Sequence, residues 1–192
     1  MKKGIGALIR VVVVIALIAF PVIGKYNSFV TAEENIEESY SQIENQLQRR
    51  ADLIPNLVST VKGYASHEKE LLSDIADARS KLIGAGSTKE KANADAQLSG
   101  ALSRLLVIQE KYPDLKADKQ FTALMDELSG TENRLAVARQ DYNAMVADYN
   151  KKTKRFPGSL TASIFGFEKK PYFKADEGAK ETPKIDFEGN GK

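Results

Sequence analysis

The sequence predicts an all-α fold: an antiparallel up-and-down four-helix bundle of long helices behind an N-terminal transmembrane helix. Three observations carry that expectation. Residues 4–24 form an almost uninterrupted apolar run, and between Tyr26 and Phe156 apolar side chains recur at threes and fours. Nowhere is there the strict alternation of a half-buried strand. The chain of 192 residues divides accordingly into an anchor with a short cytoplasmic flank at 1–25, a helical bundle at 26–156 and a Gly/Pro/aromatic tail at 157–192, partly docked.

The anchor comes first. GIGALIRVVVVIALIAFPVIG is apolar apart from Arg10, and as a helix it would reach roughly 31 Å, enough for a bilayer's hydrocarbon core. Arg10 lies near one end, where its side chain can snorkel to the headgroups, and Pro21 is tolerated in a lipid-embedded helix. Lys2, Lys3 and Arg10 cluster before or within the run, whereas Lys25 is the only basic residue beyond it until Arg49. That bias keeps the N-terminus in the cytoplasm and the bundle outside. A cleaved signal peptide, ending at Val30, Thr31 and Ala32, is the alternative, and it would yield a secreted soluble bundle.

The helical body follows in order. Phe29, Ile36, Tyr40, Ile43 and Leu47 make a first stripe; Ile54, Leu57, Val58, Val61, Leu71, Leu72, Ile75 and Leu82 make a second. Gly84 to Thr88 breaks the pattern and offers Ser87 or Thr88 as an N-cap. An alanine-rich third helix carries Leu98, Leu102, Leu105 and Leu106, and Tyr112, Pro113 and Asp114 separate it from the fourth. In that last helix Phe121, Leu128, Leu135, Tyr142, Tyr149 and Phe156 recur every seven residues, with Leu124, Thr131, Ala138 and Met145 three later, as in a heptad seam.

Pro55 interrupts the second stripe. Proline is tolerated in a helix's first turn and is costly in the interior, about 3 kcal/mol. With Asp52 a good N-cap three residues earlier, 50–54 reads as a tight turn between two helices; one long kinked helix is the alternative. The turn would return the fourth helix to the anchor, ending Phe156 near Lys25 and placing the tail, Phe165 and Phe167 foremost, at the membrane-facing end of the bundle, to seal the helix ends or lie among headgroups. Three helices would instead leave the tail at the far end. The tail's aromatic content argues that part of it docks, since disordered segments are poor in aromatics.

Composition and motifs exclude several chemistries. There is no cysteine, hence no thiolate nucleophile or cysteine metal site. Net charge is +2, but removing Lys2, Lys3 and Arg10 from the 28 basic residues leaves 25 against 26 acids, so the body is near neutral and a poor nucleic-acid binder. His67 and Glu68 begin a zinc-protease signature, yet Leu71 stands where its second histidine belongs. Phosphate-cradle and serine-hydrolase motifs are missing. Glu132, Arg134, Arg139 and Asp141 read as ion pairs of a charged helix rather than as acid/base catalysts. The triplet Asp-Tyr-Asn occurs at 141–143 and 148–150, setting Tyr142 and Tyr149 on the seam with Asn143 and Asn150 beside it. It reads as a register-setting polar layer, with a partner-binding stripe as the alternative.

With the anchor followed by YN at 26–27, LQRRADLIPNLV at 47–58, VKGYA at 61–65, HE at 67–68, AR at 78–79, ENRLAVAR at 132–139, YN at 142–143 and 149–150 and FGFEKKPYF at 165–173, the chain closely resembles the LemA family of bacterial membrane proteins over nearly its whole length. Tyr40 stands where many members carry Trp. The resemblance implies a four-helix bundle behind a membrane anchor, without an established activity, and an association with envelope maintenance through membrane-bound proteases. Its motifs mark Arg50, Asp52, Pro55, Asn56, Arg134, Arg139, Tyr142, Asn143, Tyr149, Asn150, Phe165 and Phe167 as structural or interaction residues.

The resulting expectation is a single-pass protein of the bacterial inner membrane whose bundle is an interaction or scaffold module. Its expected partners are the lipid bilayer, through residues 4–24, and an envelope protein; no nucleic acid, cofactor or metal is expected. It is not expected to be an enzyme. The alternatives are an adaptor or subunit of a membrane-associated protease or stress system, or a metal-free hydrolase among the helical carboxylates.

Overall fold

The computed structural model describes residues 2–175, the side chains of 2–11 and 14–18 excepted. These residues are helical, with no strand among them: α1 spans Lys2–Tyr64, α2 Lys69–Gly84, α3 Thr88–Ile108, α4 Pro113–Ala117, α5 Lys119–Lys154 and α6 Gly158–Phe165, with a 3-10 turn at Gln109–Lys111. The expected transmembrane span falls largely on side chains outside the described residues. Among those described, no helix is long and apolar enough to cross a membrane. Phe187 also lies outside them.

The expected turn at 50–54 is absent. α1 continues through Pro55, and Asp52, expected as an N-cap, is an exposed mid-helix residue that accepts a hydrogen bond from Gln48 Nε2 at 2.8 Å. An interior proline lacks the N–H that would satisfy the carbonyl four residues back, here that of Ala51. Arg79 of α2 supplies the missing donor, its Nε lying 2.7 Å from that oxygen. Ile54, Leu57 and Val61 stay buried on one face across the proline. The hairpin falls at 65–68 instead, where Ala65 N–H donates to the Val61 carbonyl at 2.8 Å and Glu68 N–H to that of Ala65 at 3.1 Å.

The later breaks lie close to their sequence positions. Ser87 caps α3, its hydroxyl accepting from Glu90 N–H at 3.2 Å while Glu90 Oε2 accepts from Ser87 N–H at 3.1 Å. This reciprocal pairing satisfies two otherwise orphaned donors. Pro113 starts the short α4, and Asp118 starts α5 by accepting from Phe121 N–H at 2.8 Å. On α5, Phe121, Leu128, Leu135, Tyr142 and Tyr149 are buried, but Met145 is exposed and Val146 takes its place. An α-helix drifts roughly 20° per heptad, so a seven-residue repeat slides off one face over this length. Phe156 lies beyond the helix and is exposed.

The chain forms two compact units. In one, built from residues up to Ser41 and Gln140–Pro171, α1 and α5 run antiparallel, Phe29 meeting Tyr149 and Tyr40 meeting Tyr142. In the other, built from Gln42–Arg139 and the chain from Tyr172, α1 is antiparallel to α5, with Arg49 bonded to Glu127 and Tyr64 to Asp118. There α2 and α3 are antiparallel through Lys81 with Gln97 and Asp74 with Arg104. α3 also runs along α1, with Lys91 bonded to Glu44 and Ser99 to Arg50.

Candidate functional site

Two arrangements gather the residues singled out above, one in each unit. The first is a charge cluster inside the helices of the second unit. Arg50 is 2% and Asp95 1% exposed. Arg50 Nη1 bonds Asp95 and lies 2.6 Å from Glu132 Oε2, and Nη2 donates to Ser99 Oγ at 3.1 Å. Arg139 Nη2 bonds the other oxygen of Asp95, and its Nη1 lies 3.7 Å from Glu132. Two guanidinium groups thus face two carboxylates, Arg50 and Asp95 buried and Arg139 and Glu132 partly exposed, and the buried ions require such pairing to be tolerated. Burial pushes the Asp95 carboxyl up against the opposing pull of Arg50 and Arg139. Both its oxygens are taken, so it is a structural charge rather than an available acid or base.

Asp95 was not singled out in the sequence, although the signal was there. Ala92, Asp95, Leu98 and Leu102 share one buried face of α3, and an acid among them demands a cation. Arg134 lies apart from this cluster, bonding Gln46 at 3.1 Å and Glu127 at 3.0 Å. Asn56 and Pro55 are exposed on α1.

The second arrangement belongs to the first unit, where α1 and α5 hold the chain's own tail. α6 ends at Gly166, whose φ of 75° places it in the left-handed region that favours glycine, and Phe167 N–H donates to the Ala162 carbonyl at 3.0 Å. Phe167 then stacks on Phe29 at 4.8 Å between centroids, Phe29 meets Tyr149 edge-on at 5.7 Å, and Tyr26 packs on Phe165 at 5.0 Å. Asn150 grips the extended strip beyond. Its Oδ1 accepts from Lys170 N–H at 3.0 Å and its Nδ2 donates to the Lys170 carbonyl at 2.9 Å. Tyr142 Oη donates to the Pro171 carbonyl at 2.9 Å. Tyr149 Oη donates to Glu33 at 2.9 Å, and Lys170 Nζ lies 2.6 Å from the same carboxylate oxygen. Burial, then the Glu33 contact, pushes the Tyr149 phenol up.

Tyr142, Tyr149 and Asn150 of the repeated triplets therefore meet a segment of this chain, an extended strip whose peptide groups one amide side chain can satisfy. Asn143 is half-buried, while Asp141 and Asp148 are exposed. Glu33 stands outside the motifs singled out in the sequence. Among the described residues no group of acids and histidines could hold a metal ion, and His67 is exposed.

A profile described as the LemA family matches residues 39–187. The chain belongs to the LemA family. Among relatives of this LemA-family chain, magnetosome protein MamQ 2 of Paramagnetospirillum magneticum (strain ATCC 700264 / AMB-1) is 31% identical over 92% of the chain and 75% of that protein. Magnetosome protein MamQ of Magnetospirillum gryphiswaldense (strain DSM 6361 / JCM 21280 / NBRC 15271 / MSR-1) is 30% identical over 96% of the chain and 78% of its own length. Protein LemA of Metamycoplasma hominis (strain ATCC 23114 / DSM 25592 / NBRC 14850 / NCTC 10111 / PG21) is 26% identical over 86% and 76%. The family match takes in the Arg50, Asp95 and Arg139 cluster together with Tyr142, Tyr149 and Asn150, whereas Tyr26, Phe29 and Glu33 precede it.

Proposed function

We propose that this LemA-family chain is a single-pass protein of the bacterial inner membrane, its N-terminus cytoplasmic and its helices forming an extracytoplasmic four-helix bundle that serves as a non-enzymatic scaffold. The observation that carries the reading is the passage of α1 from Lys2 to Tyr64 without a break, so that an apolar run of bilayer length becomes the first helix of the body. Cleavage after Ala32 would strip Tyr26 and Phe29 from the rings around Phe165, Phe167 and Tyr149, which favours an uncleaved anchor. The magnetosome relatives are named for an assembly rather than a reaction, and the charge cluster has its acids occupied by arginines; both favour a scaffold over an enzyme.

The chain contains no cysteine, which makes the test direct. A cysteine at exposed His67 should react with an impermeant thiol reagent in intact cells, and the protein should stay with membranes through alkaline extraction. Labelling only after lysis would refute the orientation, and release by alkali would refute the anchor.

A further inference from the structure

We infer that the face formed by the end of α5 and by α6 docks on an anionic lipid surface, an inference that rests on the anchor reading above. A pocket of about 240 Å³ in the first unit is lined by Lys25, Lys151 and Arg155, none of which makes an ion pair among the described residues. Lys152 in its wall is paired with Asp148 at 2.9 Å, the lone acid there. The pocket is thus a cationic recess matched to phosphate oxygens.

An apolar face continues from Phe156 in its wall into the following helix. Phe156 is 83%, Leu160 52% and Ile164 62% exposed, while Thr161 and Ala162 of α6 are buried. Leu160 and Ile164 are one helical turn apart and form a single face. A glycine fixes that presentation: a Cβ at Gly158 would stand 2.5 Å from the Lys152 carbonyl oxygen and 3.5 Å from the Phe29 ring. Gly158 therefore lets α6 lie tightly against the end of α5, apolar side outward.

The site's height along α1 identifies the occupant. Tyr26, which packs on Phe165 and Phe167, is two residues beyond the run ending at Gly24, a rise of about 3 Å. Exposed apolar side chains flanked by free cations at that level meet the headgroup layer, where such a combination binds most strongly when the lipids are anionic.

The test uses the full-length protein in phosphatidylcholine vesicles with or without phosphatidylglycerol. An environment-sensitive fluorophore is placed on single cysteines at Leu160, Phe20 or His67 and challenged with quencher-bearing lipids. We expect the Leu160 probe in phosphatidylglycerol vesicles to be quenched at least about twofold more than the His67 probe, and Lys25→Glu with Arg155→Glu to remove that difference. A Leu160 probe quenched no more than His67, beside a quenched Phe20 probe, would overturn the docking and leave the anchor standing. If neither Phe20 nor Leu160 is quenched, both readings fall. Equal quenching of Leu160 in neutral vesicles would overturn the anionic recognition. Shielding that instead grows with protein density would mean that a second copy covers the face, which overturns the lipid assignment.

Discussion

Arg79 Nε lies 2.7 Å from the carbonyl oxygen of Ala51, the acceptor that Pro55 leaves without a helical N–H. This pairing joins two motifs that are distant in sequence, the proline in α1 and the arginine in α2. We predict that Arg79→Met destabilises the protein by about 1 to 3 kcal/mol, the usual loss when a buried acceptor is left unmet. In a Pro55→Ala background the same change should be nearly neutral, because residue 55 then supplies its own N–H. Urea denaturation of the four proteins gives the coupling.

The charge cluster predicts an asymmetry between breaking it and replacing it. Asp95→Ala leaves Arg50 buried beside Glu132 and should destabilise by about 3 to 5 kcal/mol. Arg50→Met with Asp95→Leu removes both buried ions and should be markedly less harmful than Asp95→Ala alone. Thermal melts of the two variants, each against the unaltered protein, would show it.

Tail docking can be read by proteolysis. Asn150→Ala removes two hydrogen bonds to Lys170, which should raise the open fraction of the strip by about tenfold. Trypsin cleavage after Lys169 should accelerate by the same factor while global unfolding barely changes. Equal cleavage rates would show that the Asn150 bonds do not hold the strip, leaving that role to the rings, Tyr142 and the Lys170–Glu33 pair.

Acid should loosen the helix starts. The backbone N–H groups of Gly86 and Ser87 hold the Glu90 carboxyl below its ordinary value, and Phe121 N–H does the same for Asp118. Groups depressed in the folded state stabilise it above the ordinary carboxylate range, and that contribution is lost as pH falls through the lowered value. Asp118→Asn, which keeps a capping oxygen without the charge, should therefore be less stable than the unaltered protein at neutral pH. The difference should shrink as pH drops below about 4. Chemical denaturation at several pH values tests the sign.

The helical character of the chain and the Ser87 cap were legible because they rest on local periodicity and capping chemistry. The hairpin at 65–68 was not. Pro55 is the strongest local breaker in that stretch, and what neutralises it is a side chain from another helix, invisible to any window of sequence. Phe156 was nevertheless expected near Lys25, from a turn at 50–54 that does not exist, and the two residues line one recess. The turn at 65–68 restores the same alternation of helix directions. Phe165, Phe167, Tyr142, Tyr149 and Asn150 were named from motifs, but that the first two pack on Tyr26 and Phe29 while the other three meet Lys170 and Pro171 follows only from the fold.

The cluster of Arg50, Asp95 and Arg139 also has a consequence in time. Asp95 lies 45 residues after Arg50 and 44 before Arg139, so a growing chain presents these ions in sequence. Arg50 emerges first, its counterion follows, and the second guanidinium comes last. Until Arg139 is in place, Asp95 lacks one of its two cations, and its burial carries the cost of an incompletely compensated ion. A nascent chain that stalls before α5 would thus hold Asp95 only partly compensated, and the synthesis of α5 would set the moment at which that acid is fully paired.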